Sequence, residues 1–502
     1  MMILKKSAFL ALVLLPVFFL LHNYNELFGF INVDQIIKYG LIIYLILGLT
    51  LLALYAGKKW NAKTSVILFS LTIFVLLFGP INNYIRLIVH SRILSSYYIV
   101  FTICFFVLIL IIRKIVKTPI IAPKTILFIN LAIIFITVTE LMMLFVNKAA
   151  YDRTKNLIYP QKPLSEIFVS PNLADSAKPD IYFFVFDAYT NDKMLKKIWN
   201  FDNSEIAGWL VANGFHLPPD TRSNYNFTAF SVSSTFNMNY IDPARGSNAS
   251  VPINILQANE SLSDNETLDI LKKENYTINF LAPFKNSIKE NNLGHFFEYL
   301  SDKQISRQTL VGSLYDSRIW KFFADKMTNT SDSISYKKPL LEKFRLIRNT
   351  VDEIKSTVDS TTNRKPHFVY GHIMVPHEPP LFDSSGNFLS YDQSLHASMF
   401  DTYTAQIRYA NSLIREIVSS IKAHNKANTI IIIEGDHGFG FYSHDSIPRF
   451  AFANMNAIYF PDKDYSRVYD SLSPINTFRI VFDQFFKQRY PLLKDISTVV
   501  SE

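Results

Sequence analysis

TIIIIEGDHGFGF, Thr429–Phe441, runs from four consecutive isoleucines directly into an acid, an imidazole and glycines. The apolar run reads as a central strand of a parallel sheet, covered by helices on both faces. In open α/β sheets ligands bind beyond the carboxyl ends of the strands, where side chains leave the core. Asp436 and His437 stand where this strand gives out, and Gly435, Gly438 and Gly440 give the turn its backbone freedom. Taken alone, the pair also suits an ordinary strand-to-loop turn, so the rest of the chain decides.

Working outward, DIYFFVFD (180–187) is a second apolar run that ends on an acid, Asp187. YTINFLA (276–282), HFVYGHI (367–373) and NAIYF (456–460) read as further strands. The stretch 203–214, stopped by Gly214, reads as a helix, as do LSDNETLDILKKEN (262–275), a long segment over 398–424 and one near 475–488. Strands alternating with helices imply an α/β fold with a mostly parallel sheet sandwiched by helices. This domain is expected over 179–502, after a linker at 148–178 that carries Pro160, Pro163 and Pro171.

The chain has 502 residues, 49% of them hydrophobic, and a mean hydropathy of +0.14 that averages two unlike halves. Residues 1–147 are long apolar runs joined by short basic loops, and five of them, near 6–22, 39–57, 64–80, 96–113 and 125–146, have the length of membrane helices. Lys5 and Lys6 precede the first run; Lys58, Lys59 and Lys63 follow the second; Arg113, Lys114, Lys117 and Lys124 follow the fourth. No small-residue cleavage site follows Leu21, so the first run reads as a retained anchor. The basic loops then face the cytoplasm, and everything after residue 147 lies outside the cytoplasmic membrane, periplasmic or extracellular. They also account for much of the net charge of +8, which therefore does not call for nucleic acid. The loop INNYIRLIVHSR (81–92), with Arg86, His90 and Arg92, reads as an interfacial amphipathic helix or a contact for lipid phosphates. Glu140, an acid in the last apolar run, is expected to snorkel to the interface unless it has a function. Cys104, the single cysteine, lies in an apolar run, which excludes an intrachain disulfide or a thiol metal cluster.

In the outer half, two strands end on the acids Asp187 and Asp436, and HFVYGHIMVPHEPP carries His372 and His377 at a third strand end. FYSHDSIPRF adds His444 and Arg449. Carboxylates with imidazoles suit Zn²⁺ or Mn²⁺ better than Mg²⁺. Two carboxylates, an imidazole and an activated hydroxyl complete a four-coordinate site that lowers the pKa of the nucleophile.

In order, KPDIYFFVFDAYT, SNYNFTAFSVSSTFNMNY, FVYGHIMVPHEPP and EGDHGFG resemble the alkaline-phosphatase superfamily in its sulfatase-like branch. Five membrane spans before such a domain resemble the phosphoethanolamine transferases and lipoteichoic acid synthases. The resemblance covers about residues 178–490 and implies one tightly bound divalent metal, Zn or Mn. By it, Asp187, Asp436 and His437 match metal ligands, and Thr228 in TAFSVSSTFNM takes the position of the nucleophile and fourth ligand. Ser231, Ser233 and Ser234 are the alternatives there, or else capping and packing hydroxyls. His377 matches a substrate-contacting histidine, and His444 a catalytic histidine a few residues past the Asp-His pair. His372 and Arg449 are assigned to substrate binding, His372 with a structural role at the strand end as its alternative.

Two departures sharpen the expectation. No cysteine lies outside the membrane region and Val232 stands where formylglycine sulfatases carry Arg, so sulfatase chemistry of that kind is not expected. The first ligand is Asp where the two transferase families use Glu. The expected activity is transfer of a phospho-group from a membrane lipid or other phosphodiester donor to an envelope glycan or lipid acceptor. Hydrolysis of a sulfate or phosphate ester, or a non-catalytic envelope binding role, are the alternatives.

Overall fold

The computed structural model describes residues 2–89, 94, 96–154, 163–241, 251–282, 304–315, 334–360, 365–378, 380–389, 398–424, 428–440 and 449–500. The chain divides into two compact units, Met1–Asp152 with Phe297–Ser335, and Arg153–Phe296 with Tyr336–Glu502.

The first unit is built on α1 (Met2–Glu26), α2 (Val33–Ala56), α3 (Ala62–Ile88), α4 (Tyr97–Lys117) and α5 (Pro123–Thr154). Among the described residues four helices, α2 to α5, are long and apolar enough to cross a membrane, one fewer than the sequence suggests. α1 adds a further, shorter apolar stretch, Leu10–Glu26. The expected interfacial helix after the third run is not a separate element. α3 continues through Pro80 to Ile88, and His90 and Arg92 lie outside the described residues.

Glu140 is half-buried: its carboxylate lies 2.8 Å from His22 Nδ1 and accepts from Asn25 Nδ2 at 2.7 Å, so the acid has partners across α1 and α5. Ile305, from the short described stretch 304–315, is buried with Phe19 and Leu76 of this unit.

The second unit holds a five-stranded sheet of β1 (Asp180–Phe186), β2 (Thr277–Leu281), β3 (His367–Ile373), β4 (Thr429–Glu434) and β5 (Asn456–Tyr459). The order is β2-β3-β1-β4-β5. Three of the pairings are parallel, and β5 runs antiparallel to β4, so the sheet is mixed. Alternate side chains divide the core as the strand period requires. Ile181, Phe183 and Val185 of β1 join Ile430 and Ile432 of β4 on one face, against helices Thr228–Asn237, Glu266–Lys273 and Thr477–Phe486. Tyr182, Phe184 and Phe186 join Ile431 and Ile433 on the other, against helices Ser204–Ala212, Ile334–Ser360 and Met399–Ala423. The four isoleucines are thus buried on both faces. β1 lies between β3 and β4, so the order reverses around it, and in open α/β sheets ligands bind beyond the strand ends at such a point.

Candidate metal centre and nucleophile

Register places the two acids. Val185 of β1 pairs with Glu434 of β4, so two residues further along each strand Asp187 and Asp436 leave the sheet at the same level. The turn after β4 is tight by necessity. A Cβ on Gly435 would lie 2.3 Å from Tyr189 O, and one on Gly438 2.1 Å from Phe450 O. Only glycine permits backbone this close, and the compact turn brings Asp436 and His437 back over the strand ends.

One ligand atom from each of Asp187, Asp436 and His437 lies within 4.8 Å of the other two, and all three residues are buried. His437 Nε2 is 3.8 Å from Asp187 Oδ1 and 3.6 Å from Asp436 Oδ2. Each carboxylate spends its other oxygen on the protein. Asp436 Oδ1 accepts the Ala188 and His437 backbone N–H groups at 2.9 and 3.0 Å, and Asp187 Oδ2 accepts from His372 Nε2 at 3.2 Å. Asp187 Oδ1 and Asp436 Oδ2 are buried with no hydrogen-bond partner. Two such oxygens beside one imidazole are costly unless a cation meets them. His437 Nδ1 lies 2.7 Å from Gly438 O, which can only accept, so Nδ1 carries the proton and Nε2 keeps its lone pair for a ligand. The residues fit a divalent metal.

The charge balance agrees. Burial pulls the His437 pKa down, but the negative charge of Asp436 and Asp187 outweighs it and raises it. Burial would lift the Asp187 carboxyl, yet His377, His372 and His437 together hold it below the usual carboxylate range. Behind it, His372 bonds Tyr370 through Nδ1 at 2.9 Å and is 1% exposed, so its ring is spent on the protein.

Thr228 opens the helix Thr228–Asn237, and its Oγ1 lies 3.4 Å from His437 Nε2. It is half-buried, whereas Ser231, Ser233 and Ser234 are fully buried. The Ser231 hydroxyl donates to the Asp436 carbonyl, that of Ser233 to Ala258 O and that of Ser234 to Ser231 O, so all three are engaged in packing. The first-turn N–H groups of the helix have no partners within it, which makes this end receptive to an anion.

His377 Nδ1 lies 2.6 Å from Glu378 O, which leaves Nε2 as the acceptor of the neutral ring. Burial lowers its pKa, and Lys343 adds to the effect against the pull of Asp187. His444 lies outside the described residues; Arg449 begins the short turn Arg449–Phe452, and its side chain is not among those described. Sequence reasoning missed Lys343, which is 2% exposed. A signal was there: Lys343, Ile347, Val351, Ile354 and Val358 fall at helical spacing on one stripe, and a lysine on an apolar stripe needs a partner.

A family model described as Sulfatase matches residues 210–479, which include Thr228, His377, Asp436 and His437. Among curated proteins no match is found. Among solved structures, the integral membrane lipooligosaccharide phosphoethanolamine transferase A from Neisseria meningitidis matches at 13% identity over 95% of each chain, with a TM-score of 0.42. The periplasmic domain of EptC from Escherichia coli in complex with Zn matches at 10% identity over 66% of this chain and 93% of its own, TM-score 0.41. The periplasmic domain of phosphoethanolamine transferase EptC from Campylobacter jejuni does so at 12% identity over 61% and 89%, TM-score 0.37.

Proposed function

The chain belongs to the sulfatase family, and from that premise we propose that it is a membrane-anchored, metal-dependent phosphotransferase with Thr228 as nucleophile. One observation carries this reading: the Thr228 hydroxyl shares His437 Nε2 with two carboxylate oxygens that have no other partner. Asp187, Asp436, His437 and Thr228 would hold one Zn²⁺ or Mn²⁺. Bound there, the ion supplies Lewis acidity and lowers the pKa of the threonine hydroxyl.

The chain's own residues do the rest. Thr228 Oγ1, poised at a helix N-terminus, attacks the phosphorus of a phosphodiester and displaces its alcohol. The first-turn N–H groups steady the phosphoryl oxygens as charge develops. His377 Nε2 would take the proton that the Thr228 hydroxyl gives up and pass it to the leaving alcohol, and in the second step would carry the acceptor's proton back to Thr228 Oγ1; His444 is assigned a similar part and Arg449 a contact with the substrate anion. His372 orients Asp187. The phosphothreonine then passes its group to an envelope glycan or lipid hydroxyl. Sulfate-ester chemistry through formylglycine is not expected, since the only cysteine is Cys104 and Val232 stands where that motif carries Arg. The charge asymmetry of the loops supports an outward-facing catalytic unit and a membrane lipid as donor.

The test is metal analysis of the purified full chain together with turnover of a phosphodiester, a phosphomonoester and a sulfate ester. Near-stoichiometric Zn or Mn with preference for the phosphodiester is the expected result. Faster turnover of the sulfate ester would return the reading to ester hydrolysis.

A further inference from the structure

Lys343 is a buried cation that the proposed chemistry does not use, and a buried ammonium is costly unless its donors are met. Its Nζ donates to two successive carbonyls, His377 O at 2.8 Å and Glu378 O at 2.9 Å. From a different helix, Gln406, 1% exposed, donates to the preceding carbonyl, Pro376 O, at 3.0 Å and accepts Leu381 N–H at 3.1 Å. Three carbonyls in a row are therefore held by side chains of helices Ile334–Ser360 and Met399–Ala423. The segment needs such holding. β3 ends at Ile373, and Pro376 and Pro380 have no N–H with which to extend the ladder. Glu378 O, which Lys343 fixes, is also the atom on which the His377 ring is anchored through Nδ1.

We propose that Lys343 and Gln406 form a two-helix clamp on residues 376–378 that orients the His377 ring toward the reaction, each acting as a positioning residue. The proposal rests on the reading of His377 as a group that faces substrate. Burial lowers the Lys343 pKa to about 8 against the pull of Asp187 and Glu378, so the ammonium is mostly charged at neutral pH. Its bonds to the two carbonyls are then charge-assisted, the stronger kind.

The experiment follows carbethoxylation of His377 by diethyl pyrocarbonate, read by peptide mass spectrometry on the full chain in detergent. In Lys343→Met, His377 should react about tenfold faster, the factor carried by one lost charge-assisted hydrogen bond, and Gln406→Met should shift the rate in the same direction. His367, buried in β3, should remain protected; a side chain that only supports global stability would unmask both histidines. In turnover, Lys343→Met should slow the wild type but add nothing to His377→Ala, since a residue acting through His377 has no effect once that ring is gone. If Lys343→Met does not fold, Gln406→Met carries both readouts. An unchanged His377 rate, or a full additive loss on the His377→Ala background, overturns the clamp. A wild type inactive on every phosphodiester would instead overturn the functional reading, while the modification rates still decide the clamp.

Discussion

Thr228 Oγ1 and His437 Nε2 are 3.4 Å apart, brought together from helix and turn elements more than two hundred residues apart in sequence. Loss of the hydroxyl should separate chemistry from metal binding. Thr228→Ala is expected to abolish turnover while metal content measured on the purified protein stays close to wild type, because Asp187, Asp436 and His437 remain.

The carboxylates should behave in the opposite way. Asp436→Asn should lose metal and activity together. His372→Gln, which disturbs only the atom behind Asp187, should weaken metal affinity by about 10–100-fold, as loss of a ligand's hydrogen-bond partner does. Metal titration with a competing chelator reads both variants, and unchanged affinity in His372→Gln would mean that Asp187 needs no support.

Much of this was legible in the sequence because it is local. The isoleucine run set β4 as a strand buried on both faces, and the two acids sat at strand ends. What escaped depended on tertiary partners. β5 runs antiparallel, which no feature of NAIYF encodes. The partners of Glu140, His22 and Asn25, are more than a hundred positions away in sequence. His372 carried two readings, substrate contact or structural histidine at the strand end, and Tyr370 and Asp187 occupy both its nitrogens.

The two helices that carry Lys343 and Gln406 are joined by Glu416, which meets Lys355 at 2.9 Å and Arg348 at 3.2 Å. Burial would raise the Glu416 pKa, but the two cations outweigh it and lower it. Stability from this network is therefore complete above the ordinary carboxylate range and is lost as pH falls through the lowered folded-state value. Glu416 is partly exposed and solvent screens the network, so Glu416→Gln should cost at most about 1 kcal/mol. The melting-temperature gap between wild type and variant should be visible at pH 7 and close as the buffer is acidified, whereas a gap independent of pH would assign the loss to packing.

Topology offers a separate check. Reporter fusions at residues 60 and 120 should be active on the cytoplasmic side, and a fusion after residue 500 on the outer side. A cytoplasmic signal from the last fusion would put the catalytic unit in the wrong compartment for envelope substrates.

The most direct measurement is mass spectrometry of the full chain after incubation with a phosphodiester donor and no acceptor. A phospho-group on Thr228, absent when the metal is chelated and absent in Thr228→Ala, is the predicted result. Modification of Ser231, Ser233 or Ser234 in its place, or robust turnover of a sulfate ester by Thr228→Ala, would contradict the threonine nucleophile and the reaction class together.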